Sequence, residues 1–113
     1  MKKKIVKIPI YHGELILIQV KDLKEVEEKY EMNNFKMYDA VSFRNFTKRG
    51  YSRYVIACKF NSSSKSIVHE CLHVTNYIFN DRAYFPRLDN DESQAYLIGW
   101  IFGECRNYFK IKW

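Results

Sequence analysis

The feature that most constrains the fold and chemistry of this chain is an apolar stretch from about Ser64 to Phe79. This stretch carries the pattern His-Glu-x-x-His. In a helix, residues four apart lie on one face, so His69 and His73 can point at one ion. Two imidazoles at this spacing suit Zn²⁺, which binds nitrogen, sulfur and oxygen ligands in a tetrahedral arrangement. Glu70 can reach a metal-bound water without binding the metal, which is where a metallohydrolase needs its general base.

The same five-residue pattern also arises by chance, as two histidines beside a glutamate on a surface helix. Most other residues of the stretch are apolar, however, and this composition predicts a helix that is buried on several faces. Buried histidine and glutamate side chains without partners would each cost roughly 1–3 kcal/mol, and a metal would satisfy all three. The context therefore favours a metal site.

The size of the chain, 113 residues, predicts one domain over residues 1–113. No run of eighteen apolar residues occurs, so we expect no membrane span. The basic start lacks a long apolar core and a small-residue cleavage site, so we expect no signal peptide. Three cysteines without a pairing pattern (Cys58, Cys71 and Cys105) favour reduced thiols in a cytoplasm-like compartment.

The hydrophobic pattern predicts an α+β fold with a small, mostly antiparallel sheet. Period-two apolar residues and turn residues predict two hairpins, formed by residues 4–10 with 14–20 and by residues 38–47 with 51–60. Helical periodicity predicts a scaffold helix, the helix that carries the His-Glu-x-x-His pattern, and a following C-terminal helix, over residues 22–30, 64–79 and about 89–108.

A catalytic zinc site has three protein ligands and one open position for water, so one ligand remains to be found. Two packed helices lie roughly 8–10 Å apart, which makes a carboxylate at the start of the next helix a geometric candidate. Glu92 lies there, with eighteen residues between it and His73. The combination of His69-Glu70-x-x-His73 with a downstream Asn90-Asp91-Glu92-Ser93-Gln94-Ala95-Tyr96 resembles the gluzincin metallopeptidases.

The resemblance implies a minimal zincin-like domain in which His69, His73 and Glu92 bind zinc and Glu70 activates the water. It covers about residues 40–105 and is strongest at the two motifs, although Asp91 is inserted where the family commonly has Asn-Glu. It also implies a peptide or protein substrate. Small proteins of this kind are similar to predicted peptidases of phage and prophage genomes.

A peptidase also needs a donor that stabilises the oxyanion. Tyr96, one turn beyond Glu92, is the first candidate, and Tyr77 and Tyr108 are alternatives; each of these tyrosines also suits a core position. Asp89 and Asp91 are candidates to orient a ligand, although acidic residues also suit the start of a helix.

Other functions remain open on the sequence alone. The net charge of +6 and the alternation of aromatic and basic residues over 43–54 are compatible with nucleic-acid binding, and equally with an amphipathic hairpin. A non-catalytic binding protein, such as a phage accessory protein with a structural zinc, would share the same motif. So would a hydrolase of amides other than peptides. An exposed strand beside the helix would bind an extended peptide by β-addition.

Overall fold

The structure, a computed structural model, describes residues 1–113 and contains four strands and three helices. In chain order these are β1 (Lys3–Lys7), β2 (Glu14–Val20), α1 (Lys24–Tyr30), β3 (Ala40–Arg44), β4 (Arg53–Lys59), α2 (Ser64–Asp81) and α3 (Glu92–Tyr108). The predicted α+β class, both hairpins and all three helices are confirmed.

The strands form one mixed sheet with the order β1-β2-β4-β3. β1 pairs with β2 and β3 pairs with β4 in antiparallel fashion, as the two predicted hairpins require. The central pairing of β2 with β4 is parallel, because the chain passes through α1 and β3 before β4 returns to the middle of the sheet. The central strands are buried on both faces, which explains why β4 is nearly continuous in apolar residues.

The turn of the first hairpin shows why a glycine is needed at its end. His12 and Gly13 both have positive φ, at 64° and 92°. A Cβ atom at Gly13 would lie 2.8 Å from the backbone carbonyl oxygen of Ser52, so the position tolerates no side chain.

Each face of the sheet has its own core, because successive side chains of a strand point to opposite faces. On one face, α2 and α3 cover strand residues such as Leu17 and Ile56. On the other face, α1 covers residues such as Ile18 and Val55. In β3 this alternation directs Ala40, Ser42 and Arg44 towards α2, and the two residues between them towards α1.

The prediction that α2 is buried on several faces is wrong. One face of α2 packs on the sheet and α3, whereas Val68 and Leu72 are 45% and 44% exposed. The side chain of His69 is 68% exposed and His73 is also exposed. A fold of this size has no further layer to cover the outer face, so the burial cost expected for the two histidines does not arise. Glu70, in contrast, is buried.

The three cysteines are free and wholly buried in the core under α2 and α3. The Sγ atoms of Cys71 and Cys105 lie 3.9 Å apart, and burial raises the pKa of Cys58 from 9.0 to about 12. The helices are too short or too polar for any of them to cross a membrane.

Candidate functional site

The two histidines of α2 converge on one point. The Nε2 atoms of His69 and His73 lie 3.0 Å apart, on the side of the helix that faces away from the core. Two nitrogens in a tetrahedral zinc shell, each about 2.0–2.1 Å from the metal, are separated by roughly 3.3 Å. The pair therefore fits two positions of such a shell with little movement of either ring.

Glu70 is held beside this pair by a strand residue. It is 9% exposed, and its Oε1 accepts a hydrogen bond of 2.7 Å from the hydroxyl of Ser42 on β3. Its other carboxylate oxygen, Oε2, lies 4.0 Å from Nε2 of His69. One oxygen is thus fixed by Ser42, and the second is left towards the histidines, which is the arrangement expected of a positioned base.

These residues line a surface depression of about 420 Å³. One wall is α2, the second is β3, and the third is the loop between α1 and β3, which contributes Asn33, Asn34, Phe35 and Tyr38. Asn34 adopts a positive φ of 68° in this loop. The depression therefore combines nitrogen and oxygen donors with an apolar wall, as small-ligand and peptide sites commonly do.

Of the three candidate tyrosines, the structure brings Tyr77 to the depression. Its ring centroid lies 6.4 Å from that of His73, and the two rings are nearly parallel. Tyr96 is 76% exposed on α3 and does not line the depression. Tyr108 packs against the core, next to Phe109.

Glu92 is the first residue of α3, is exposed, and does not line the depression. No group of three histidine, cysteine, aspartate or glutamate side chains is gathered anywhere in the chain. The start of α3 nevertheless lies against α2, because the amide of Gln94 donates to the side-chain oxygen of Asn76 at 3.1 Å. Asn76 is one helical turn beyond His73, and Gln94 is two residues beyond Glu92, but Glu92 itself makes no contact with the histidine pair.

The two aspartates that precede α3 do not contact the histidines. Asp89 is paired with Arg87 through two hydrogen bonds of 3.0 and 2.8 Å. Asp91 stands at the N-cap position of α3 and makes no side-chain capping bond.

The outer edge of β3 is open next to the depression, since no strand lies beyond it. Backbone bonds from Asn45 to Arg53 and from Lys59 to Asp39 fix which β3 residues bond to β4. In an antiparallel pair, residues that bond to the partner strand alternate with residues whose backbone groups point away from it. The backbone N–H and C=O groups of Ala40, Ser42 and Arg44 therefore face outward, on the side where a further strand would add.

The segment 43–54 is divided between core and surface. Phe43 and Tyr54 are buried on opposite faces of the sheet. Phe46 and Tyr51 are 53% and 42% exposed near the hairpin turn, where Lys48 and Arg49 also lie. Only the turn therefore retains the mixture of basic and aromatic side chains that suggested nucleic-acid binding.

Comparisons of this chain with known protein families, curated proteins and solved structures give no match.

Proposed function

We propose that this protein is a small zinc-dependent metallopeptidase whose site is the depression between α2 and β3. The observation that carries the proposal is the convergence of the His69 and His73 nitrogens, 3.0 Å apart, beside the buried carboxylate of Glu70. Two imidazoles and an adjacent, non-ligating carboxylate are the parts that metal-assisted hydrolysis requires.

His69 and His73 would hold the metal. Glu92 is the proposed third ligand on the basis of the resemblance to the gluzincins, and its helix α3 contacts α2 through Gln94 and Asn76. Zinc bound there would supply a Lewis acid and lower the pKa of a bound water towards 7. Glu70 would accept the proton of the attacking water and pass it to the leaving amine.

For the developing oxyanion we place Tyr77 before Tyr96. The Tyr77 ring already stacks near His73, whereas Tyr96 lies exposed on α3. A donor of this kind must lie within hydrogen-bond reach of the reacting carbonyl.

The proposed substrate is an extended peptide or protein segment. The outward backbone groups of Ser42 and Arg44 would pair with it by β-addition. Because Ser42 also holds Glu70, a peptide bonded to this edge would lie over the base and the histidine pair.

A second candidate is a peptide-binding protein that does not hydrolyse its ligand. It is favoured by the open outer edge of β3 next to the depression, which would pair with a peptide whether or not zinc is bound. A third, nucleic-acid binding through the hairpin turn, has the exposed Phe46 and Tyr51 beside Lys48 and Arg49 in its favour.

The test is the zinc content of the purified protein, followed by turnover of a quenched fluorescent peptide library. Wild type should hold one zinc per chain, and Glu92→Ala should lose or greatly weaken it. Glu70→Gln should retain zinc and lose turnover by roughly 10²–10⁴-fold, the usual contribution of a general base. Peptide binding without cleavage would favour the second candidate, and nucleic-acid affinity that falls steeply with salt the third. Wild type without zinc, and without stabilisation by added zinc, would overturn the proposal.

A further inference from the structure

A second depression, of about 370 Å³, continues the first one towards the C-terminal end of α2. Tyr77 borders both, and the loop after α2 closes the far side with Tyr84, Phe85 and Pro86. Its walls are mainly aromatic, and the only charged residue that lines it is Arg44 of β3. The two depressions together form a groove along α2 and the open edge of the sheet.

Arg44 has unused hydrogen-bonding capacity in this groove. Its guanidinium lies 4.5 Å from the ring centroid of Tyr77, and its Nε is buried without a hydrogen-bond acceptor. The nearest carboxylate oxygen, Oδ2 of Asp81, is 3.4 Å from this Nε and already accepts a hydrogen bond from the hydroxyl of Tyr54. The side chain is 33% exposed, which leaves its terminal nitrogens for an acceptor in the depression.

The spacing along β3 relates Arg44 to the proposed reaction centre. Ser42 and Arg44 are two residues apart, so they lie on the same face and are separated by roughly 7 Å. A peptide strand added to this edge would have one residue opposite Ser42, at Glu70, and another opposite Arg44. Side chains that face each other across paired strands lie on the same face of the sheet, and opposite charges stabilise such pairs.

We infer that the second depression is a subsite for a carboxylate of the peptide, two residues from the position opposite Glu70. The inference rests on the proposed function for the peptide's placement along β3. The carboxylate comes from one of two sources, an acidic side chain of the peptide or its C-terminus. An acidic side chain reaches Arg44 whichever way the peptide runs, whereas a C-terminal carboxylate reaches it only if the peptide runs parallel to β3.

Asp81 is the group that opposes this assignment, because its charge partly offsets that of Arg44. Its side chain is 15% exposed and is held by Tyr54 and Arg44, so it lies behind the guanidinium rather than in the open part of the groove. Asp81→Asn keeps an oxygen acceptor for Tyr54 and removes the offsetting charge. This substitution should therefore tighten carboxylate binding.

The experiment measures peptide binding by NMR titration of the zinc-supplemented Glu70→Gln protein, so that no turnover is needed. The probes are end-blocked heptapeptides of alanine with a central phenylalanine and with Glu or Gln two positions before or after it. A further pair ends two positions after the phenylalanine, as a free acid or as an amide. We expect the carboxylate probes to bind three- to tenfold more tightly than their neutral partners, in the range of a partly buried ion pair.

Arg44→Gln should remove this preference, and Arg53→Gln should retain it. Arg53 is a matched control, because it is a similarly exposed arginine of β4 that is paired with Glu14. Equal binding of carboxylate and amide probes to the protein with Arg44 intact would overturn the inference, even if Arg44→Gln fails to fold. Preference for the internal Glu or for the free C-terminus identifies the source. A carboxylate preference in a protein that cleaves no peptide would leave this subsite standing and overturn the proposed function alone.

Discussion

The two faces of α2 differ in burial and in chemistry. The inner face packs Ile67, Val74 and Ile78 into the core with no exposed surface. The outer face carries His69 and His73, which are solvent-exposed, and Glu70 lies at the border between the two faces. The inner face therefore fixes where the helix lies, and the outer face can carry reactive groups without destabilising the core. This division makes stability and chemistry separable by substitution.

The largest effect on stability should come from the inner face. Ile78→Ala removes a wholly buried side chain, and we expect it to lower the free energy of unfolding by about 2–5 kcal/mol. Leu72→Ala on the outer face, where the side chain is 44% exposed, should cost less than about 1 kcal/mol. Urea unfolding of both variants measures the difference. Equal costs would contradict the division between the two faces.

Zinc should stabilise the protein through the histidines on the outer face of α2. At a free zinc concentration of 100 times Kd, wild type should gain about 2.7 kcal/mol, whereas His73→Ala should gain little. Without zinc the two proteins should unfold alike within about 0.5 kcal/mol, because His73 is exposed. His12→Asn, at the remaining histidine, is the control and should respond to zinc as wild type does. A zinc response in His73→Ala equal to that of wild type would show that the metal binds elsewhere.

The hydrogen bond between Tyr54 of β4 and Asp81 at the end of α2 should make the stability depend on alkaline pH. Burial, followed by the hydrogen bond to Asp81, raises the pKa of Tyr54 from 10.0 to about 12. The folded state therefore favours the protonated phenol, and this stability is fully present below pH 10 and lost as the pH rises through about 12.

Tyr54→Phe removes that contribution, so its unfolding free energy should fall less steeply between pH 10 and 12. The expected difference in the total fall is about 2 kcal/mol. Cys58, whose pKa is also raised to about 12, titrates in both proteins, so its share cancels in the comparison. Parallel stability curves for the two proteins over this window would contradict the assignment.

Local patterns were sufficient to predict most of the fold. The turn at His12-Gly13, the period-two strands and the helical stripe of α1 are encoded in neighbouring residues. The parallel pairing of β2 with β4 was not predicted, because it joins strands that are separated by α1 and β3. The hydrophobic pattern alone could not show that part of the apolar surface of α2, including Val68 and Leu72, would remain exposed.

The candidate site also has a part that local sequence predicts and a part that depends on distant contacts. The 3.0 Å approach of His69 and His73 follows from helical spacing and is visible in the sequence. The position of Glu92 depends on the connection after α2, where Ala83 adopts a positive φ of 55° and Arg87 bridges to Asn90. Such loop geometry is set by tertiary contacts. Ser42 and Arg44 were missed because their partners lie on a different element: Glu70 and Tyr77 are both on α2. The only local signal was a polar residue on the α2-facing side of a strand.

The smallest expected effect is that of Ser42→Ala, which breaks the link between β3 and Glu70. The lost hydrogen bond of 2.7 Å should cost about 1 kcal/mol of stability and lower kcat several-fold, with KM little changed, because the base loses its orientation. Ser42→Thr retains the hydroxyl and should restore kcat. If Ser42 only stabilised β3, kcat would not depend on the hydroxyl. A double-mutant cycle with Glu70→Ala, which leaves no acceptor for the Ser42 hydroxyl, measures the pair in unfolding experiments, without reference to turnover. Additive effects of the two substitutions, or an unchanged kcat in Ser42→Ala, would show that Glu70 is positioned by α2 alone and that the strand contributes only its open edge.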